Sequence, residues 1–151
     1  MREIFFRGQT RRKGQKVWMD GSPVESNWVY GGVCHDTGDF SIIYGNLDEE
    51  RERPTEKWVV YTDTVGQFTG LTDKNGKRVF EHDVIKHDFG DEIGVIRYGE
   101  YRGGHVGFYV DWVRGTASEL LRKDLAYWMK IVEILGNIHD NPELLGGGED
   151  G

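Results

Sequence analysis

Val65–Lys86 reads V-G-Q-F-T-G-L-T-D-K-N-G-K-R-V-F-E-H-D-V-I-K, and its punctuation decides the fold. Asn75-Gly76 is a strong hairpin signal, because both residues tolerate the positive φ that a tight turn between twisted strands requires. The arms, Gln67–Thr72 and Lys77–Phe80, are rich in β-branched and aromatic residues. With Asn75 and Gly76 as the central pair, Asp73 faces Arg78 across the ladder as a cross-strand charge pair. A three-residue loop with Gly76 at a bulge shifts that register, and the sequence leaves both open. Glu81-His82-Asp83 is then a polar break before Val84-Ile85-Lys86 re-enters a strand. Such a break makes a sharp corner in a small barrel or curled sheet. The stretch holds no nucleophile, phosphate loop or metal cage; it specifies shape.

Working outward, the pattern stays β. Ile4–Arg7, Val17–Met19, Trp28–Tyr30 (ending at Gly31-Gly32), Phe40–Tyr44 and Trp58–Tyr61 read as strands before the hairpin. Asp20-Gly21-Ser22-Pro23 is a turn cluster. Residues 45–57 are charged without apolar period and read as an exposed loop. Beyond the hairpin, Val84–His87, Ile93–Tyr98, Val106–Val113 and Ile131–Leu135 are strands. In the third of these Val106, Phe108, Val110 and Trp112 fall on one face, with Gly107, Tyr109 and Asp111 on the other. Thr116–Met129 carries a helical stripe, Leu120, Leu121, Leu125 and Trp128. Asn141-Pro142-Glu143-Leu144-Leu145 predicts one helical turn with Pro142 at its first position. The expectation is a mainly β protein, one domain over 1–145. Strands and a charged loop fill 1–64, an SH3-like small barrel 65–138 with a short C-terminal helix, and a disordered tail 146–151.

Composition agrees. The 151 residues are 37% hydrophobic and 13% aromatic, with 22 Gly and 3 Pro, which suits aromatic strands between glycine turns. No stretch reaches the roughly 18 apolar residues of a membrane span, and the N-terminus lacks a secretory pattern. Cys34 is the single cysteine, which rules out an intramolecular disulfide and points to a reducing cytosol. Net charge is −7, yet residues 1–20 hold six basic residues against two acidic ones. Arg11, Arg12 and Lys13 make that segment the one basic footprint, while the acidic remainder opposes a duplex at longer range. A solvated hairpin tip is its simplest reading.

Three His-Asp dipeptides, His82-Asp83, His87-Asp88 and His139-Asp140, would suit a divalent metal if the fold gathered them. Strand-end positions, and opposite faces for His82 and His87, argue against that, so no metal or other cofactor is expected. Cys34-His35-Asp36 is adjacent along a strand, where neighbours point apart, and so is not a nucleophile–base pair. The glycine clusters lack the strand-to-helix setting of a phosphate loop. The abundant tryptophans and tyrosines exceed the needs of one core, which suggests interface anchors. Tyr98 and Arg102 are the pairing closest to a single-strand stacking site. No catalytic residue emerges.

G-Q-F-T-G-L-T-D-K-N-G-K followed by F-E-H-D-V-I-K resembles the signature of the YopX-like family of bacteriophage and prophage proteins. Met1-Arg2-Glu3-Ile4 with Phe6-Arg7, Trp28-Val29-Tyr30-Gly31, Ile134–Ile138 and Asp140–Leu145 extend the resemblance in order over almost the whole chain. Its structural signature falls on Gln67, Gly70, Leu71, Asp73, Asn75, Gly76, Asp83, Gly136, Asn137 and Pro142. His82 departs from it, standing where the family has glycine, so that the corner is expected to form without glycine's freedom at φ > 0. Arg11–Ser26 is longer than usual. The resemblance implies a cytoplasmic phage- or prophage-encoded protein that self-associates and meets a phage or host protein partner. It implies no reaction, since the family has no established biochemical activity. A non-enzymatic interaction or regulatory role follows, and the alternative is a nucleic-acid accessory protein using the basic N-terminal loop. No membrane partner is expected.

Overall fold

A computed structural model describes residues 4, 6–10, 15–19, 22–26, 28–45, 56–115, 121 and 123–146. The chain forms two compact units, Met1–Phe68 and Thr69–Gly151. Among the described residues it is mainly β, and the strand pairings are antiparallel.

In the first unit β1 (Phe6–Gln9) lies between β4 (Trp28–Thr37) and the start of β7 (Gly66–Thr72). The sheet continues from β4 to β5 (Phe40–Gly45) and β6 (Glu56–Tyr61). Val29, Ile43 and Val60 are its fully buried centre. Gly8 is required there: a Cβ would stand 2.8 Å from Val60 Cγ2 and 2.9 Å from Ile43 Cδ1. The buried Arg7 guanidinium lies over the Trp28 ring, 4.9 Å from its centroid. Two expectations change. β4 does not stop at Gly31-Gly32, because Gly31 pairs with Phe6 and Gly45, and Gly32 with Tyr44, so ladder bonds carry the chain through. Ser22-Pro23 is not turn but the start of β3 (Ser22–Ser26), paired with β2 (Gln15–Met19) in a separate hairpin.

The second unit opens with the far half of β7 and β8 (Arg78–Phe80), then β9 (Asp83–His87), β10 (Ile93–Tyr101), β11 (His105–Arg114), α1 (Leu125–Trp128) and β12 (Val132–Asn137). A 3-10 turn, Pro142–Leu145, follows with Pro142 in its first turn, as the sequence predicts. The four-stranded sheet of this unit is ordered β11-β10-β9-β12 and is not closed on itself. Val79, Ile85, Ile96, Val110, Trp112, Leu125, Trp128, Met129 and Val132 form one buried cluster. Val110 and Trp112 are inside, as the alternation of β11 predicts. The C-terminal helix is much shorter than expected: Leu125–Trp128 is helical, and 116–120 lie outside the described residues. Leu125 and Trp128 of the expected stripe are buried, and Leu121 packs against the same cluster.

Candidate interaction surface

Three corners of the second unit are built around a buried polar side chain: Asp73, Asp83 and Asn137. Asp73 turns inward instead of facing Arg78: its Oδ1 accepts the N–H groups of Asn75 and Lys77, both at 2.9 Å, and its Oδ2 that of Ile134 at 3.0 Å. Asp73 N–H donates to Lys77 O and Gly76 N–H to Asp73 O, so the loop is the three-residue form with Gly76 at φ 80°. A carboxylate accepting several N–H groups holds a turn more strongly than an exposed ion pair. The tip is also tied to β12, since Lys74 N–H donates to Val132 O.

Within the arms, Gly70 at φ 90° kinks β7, Leu71 packs at the edge of the core, and Gln67 pairs with Phe6 in the first unit. At the next corner the buried Asp83 accepts Phe80 N–H at 2.7 Å. After β12, Asn137 Oδ1 accepts the N–H groups of His139 and Asp140, and its Nδ2 donates to Asp140. Gly136 beside it would bring a Cβ to 2.2 Å from Asn141 Oδ1, so no larger residue fits without movement.

β10 and β11 behave differently. β9 pairs with β10 only over Ile93–Val95, whereas the β10–β11 ladder continues to Tyr101↔His105. The outer part is a two-stranded arm. Its core face, Ile96 and Val110 at the base, runs on through Tyr98 and Phe108 to Glu100 and Val106. Ile96 and Val110 are fully buried, but Tyr98 is 56% exposed and Val106 67%. Tyr98 and Phe108 meet edge-on at 5.0 Å. On the reverse face Tyr101 stacks with both Tyr109 (5.2 Å) and His105 (5.5 Å) beside the Arg97–Asp111 ion pair. Arg102, at φ 54° in the arm's turn, lies 3.5 Å from Asp124.

The histidines of the three His-Asp dipeptides fall into two places. His87 is buried with Glu92, Nε2 to Oε1 at 2.6 Å, with side chains 4% and 6% exposed. Phe89 N–H donates to His87 Nδ1, so the ring proton is on Nε2 and is donated to Glu92. Trp112, Trp128 and Phe89 surround that ring. Asp88, its sequence neighbour, pairs instead with Lys74. His82 takes φ 79° itself, so the corner keeps a positive φ without glycine's freedom there, at a cost of roughly 1 kcal/mol. Its Nδ1 lies 3.1 Å from His139 Nε2. The repeated His-Asp dipeptides were a usable signal for this meeting, but no local spacing joins residues 57 apart.

Of the residues expected to meet nucleic acid, Tyr98 and Arg102 lie on the arm, and Arg11, Arg12 and Lys13 fall outside the described residues. So does most of the charged 45–57 loop, the tail beyond Gly146, and the side chains of Cys34, His35 and Asp36, which follow one another along β4. The first unit has a hollow of about 450 Å³ lined, among the described residues, by Gly38, Asp39, Phe40, Tyr61, Thr62 and Asp63. Among the described residues no group of three or more His, Cys, Asp or Glu could hold a metal ion. No helix there is long and apolar enough to cross a membrane.

Comparison with curated proteins finds no match. Comparison with protein families matches residues 24–146 to the family described as YopX protein. The matched span contains the Asp73 turn, the His82 corner, the arm and the Asn137 turn, so the chain belongs to the YopX family.

Proposed function

We propose that this protein is a non-enzymatic interaction module, phage- or prophage-encoded and cytoplasmic, that self-associates through the β10–β11 arm. The carrying observation is the core face that runs past the core: Tyr98 and Val106 continue the buried line of Ile96 and Val110 into solvent. A second copy presenting the same face would cover it, with Tyr98 and Phe108 as aromatic anchors. The non-enzymatic part is supported by the burial of the His87–Glu92 pair, which a substrate does not reach. An SH3-like barrel remains the proposed description of 65–138. Val79 of β8 shares the interior of the four-stranded sheet, and the Asp73 turn bonds to β12.

Light scattering after size exclusion tests the assembly. The wild-type chain is expected to exceed monomer mass at high concentration, and Val106→Asp to lower that mass. A clean wild-type monomer at high concentration overturns self-association.

A nucleic-acid role is the second reading, favoured by Tyr98 and Arg102 on one exposed arm. Arg97 and Arg102 each lie beside a carboxylate, which lowers the arm's attraction for phosphate. That reading predicts binding of a single-stranded oligonucleotide that falls steeply with salt and weakens in Arg11→Ala/Arg12→Ala. Absent or salt-insensitive binding excludes it.

A further inference from the structure

We propose that His82 and His139 form a two-imidazole site for a borderline divalent transition-metal ion such as Zn²⁺ or Ni²⁺. Zinc–imidazole bonds are about 2.0–2.1 Å, so two on one ion place their nitrogens roughly 3.0–3.4 Å apart. His82 Nδ1 and His139 Nε2 are 3.1 Å apart, with rings at 77° and centroids 5.0 Å apart.

Both histidines sit on backbone fixed from several sides. His82 N–H donates to Ile96 O at 2.7 Å, and His82 O accepts from Ile138 N–H at 3.1 Å. Asn137 Oδ1 holds the N–H groups of His139 and Asp140. The geometry is therefore preorganised rather than dependent on two long side chains meeting by chance.

His82 also occupies a φ of 79°, where glycine would turn the corner without strain. Strain retained at a polar residue is a pointer to use of its side chain. The second ring nitrogen adds to this. His82 Nε2 lies 3.7 Å from Glu81 Oε2, beyond a hydrogen bond, and a small movement of the Glu81 side chain would let its carboxylate accept that N–H and orient a metal-bound ring. With no third ligand among the described His, Cys, Asp and Glu residues, the ion keeps open positions for water or for groups of another molecule. Such a site binds exchangeably rather than holding a permanent structural metal.

The competing reading is a plain hydrogen bond between two imidazoles. Calorimetric titration of the full chain with ZnCl₂ or NiCl₂ near neutral pH, with melting curves in parallel, separates the two. Expected are one ion per chain, a melting temperature that rises with metal and returns on chelation, and weaker uptake as acid protonates the rings. His82→Gly suits the corner and is expected to fold while losing uptake; His139→Gln is expected to lose it as well. Glu81→Gln is expected to weaken affinity about tenfold while keeping the stoichiometry. No saturable uptake by the wild-type chain, or equal uptake by both histidine variants, overturns the site.

Discussion

The second unit contains two hairpins built on opposite principles. The β7–β8 hairpin is short and closed by Asp73, whose carboxylate takes three backbone N–H groups and ties the turn to β12. The β10–β11 hairpin is long, turns through Arg102-Gly103-Gly104, and is lined by aromatic side chains that pack on one another. The first is held by buried polar satisfaction, where removing one partner leaves several groups unpaired. The second is held by cross-strand side-chain pairs, each worth a fraction of a kcal/mol and tolerant of change. Stability is thus concentrated at one tip, while the other is left free to present a surface.

The largest expected effect breaks that contrast at its strong end. Asp73→Ala is expected to destabilise the protein by about 3–5 kcal/mol, because three charge-assisted bonds are lost together. Urea unfolding measures it, and Asp73→Asn should recover part of the loss. Next, Gly76→Ala meets nothing within 4 Å, so only the backbone at φ 80° resists. A loss of about 1–2 kcal/mol is expected by the same measurement. A change near zero would mean that the turn rearranges so that position 76 leaves the left-handed region.

At the weak end, Tyr98→Ser and Val106→Ser should alter monomer stability by no more than about 0.5 kcal/mol each, in line with surface substitutions elsewhere. They should nevertheless lower assembly mass by light scattering. A large stability loss would place these side chains in the core instead.

The smallest expectation concerns pH. The hydrogen bond to Asp88 raises the Lys74 amine above its ordinary value of 10.5. A raised cation contributes stability fully below the unfolded value and loses it as pH rises through the folded one. Lys74→Met should therefore flatten only the alkaline limb of a pH–stability curve above about 10.5, and weakly, because the amine is exposed.

Much of the fold was legible because it is local. Asn75-Gly76 marked the hairpin, the alternation of Val106–Trp112 put Val110 and Trp112 inside, and Pro142 marked the last turn. Local signals failed where distant chain decided. β4 passes through Gly31-Gly32 because strands on both sides supply ladder bonds, which no property of the two glycines announces. The stripe over 116–129 predicted a helix whose described portion is four residues, since periodicity marks which residues meet a core and not how far the helix runs. The arm's strands were recognised, but its extension beyond β9 depends on where the β9 partner ends.

By itself the sequence determined that the chain is mainly β, where its principal hairpin turns, and which family it resembles. Those properties reside in turn chemistry, two-residue alternation and motif spacing, all encoded within a few neighbouring residues. Only the tertiary structure decided that Asp73 faces inward to Ile134, that His87 is enclosed with Glu92, and that His82 meets His139. Each joins groups whose approach depends on strand register and on the handedness of corners. Register is set by the packing of whole strands against a common core rather than by either residue in the pair.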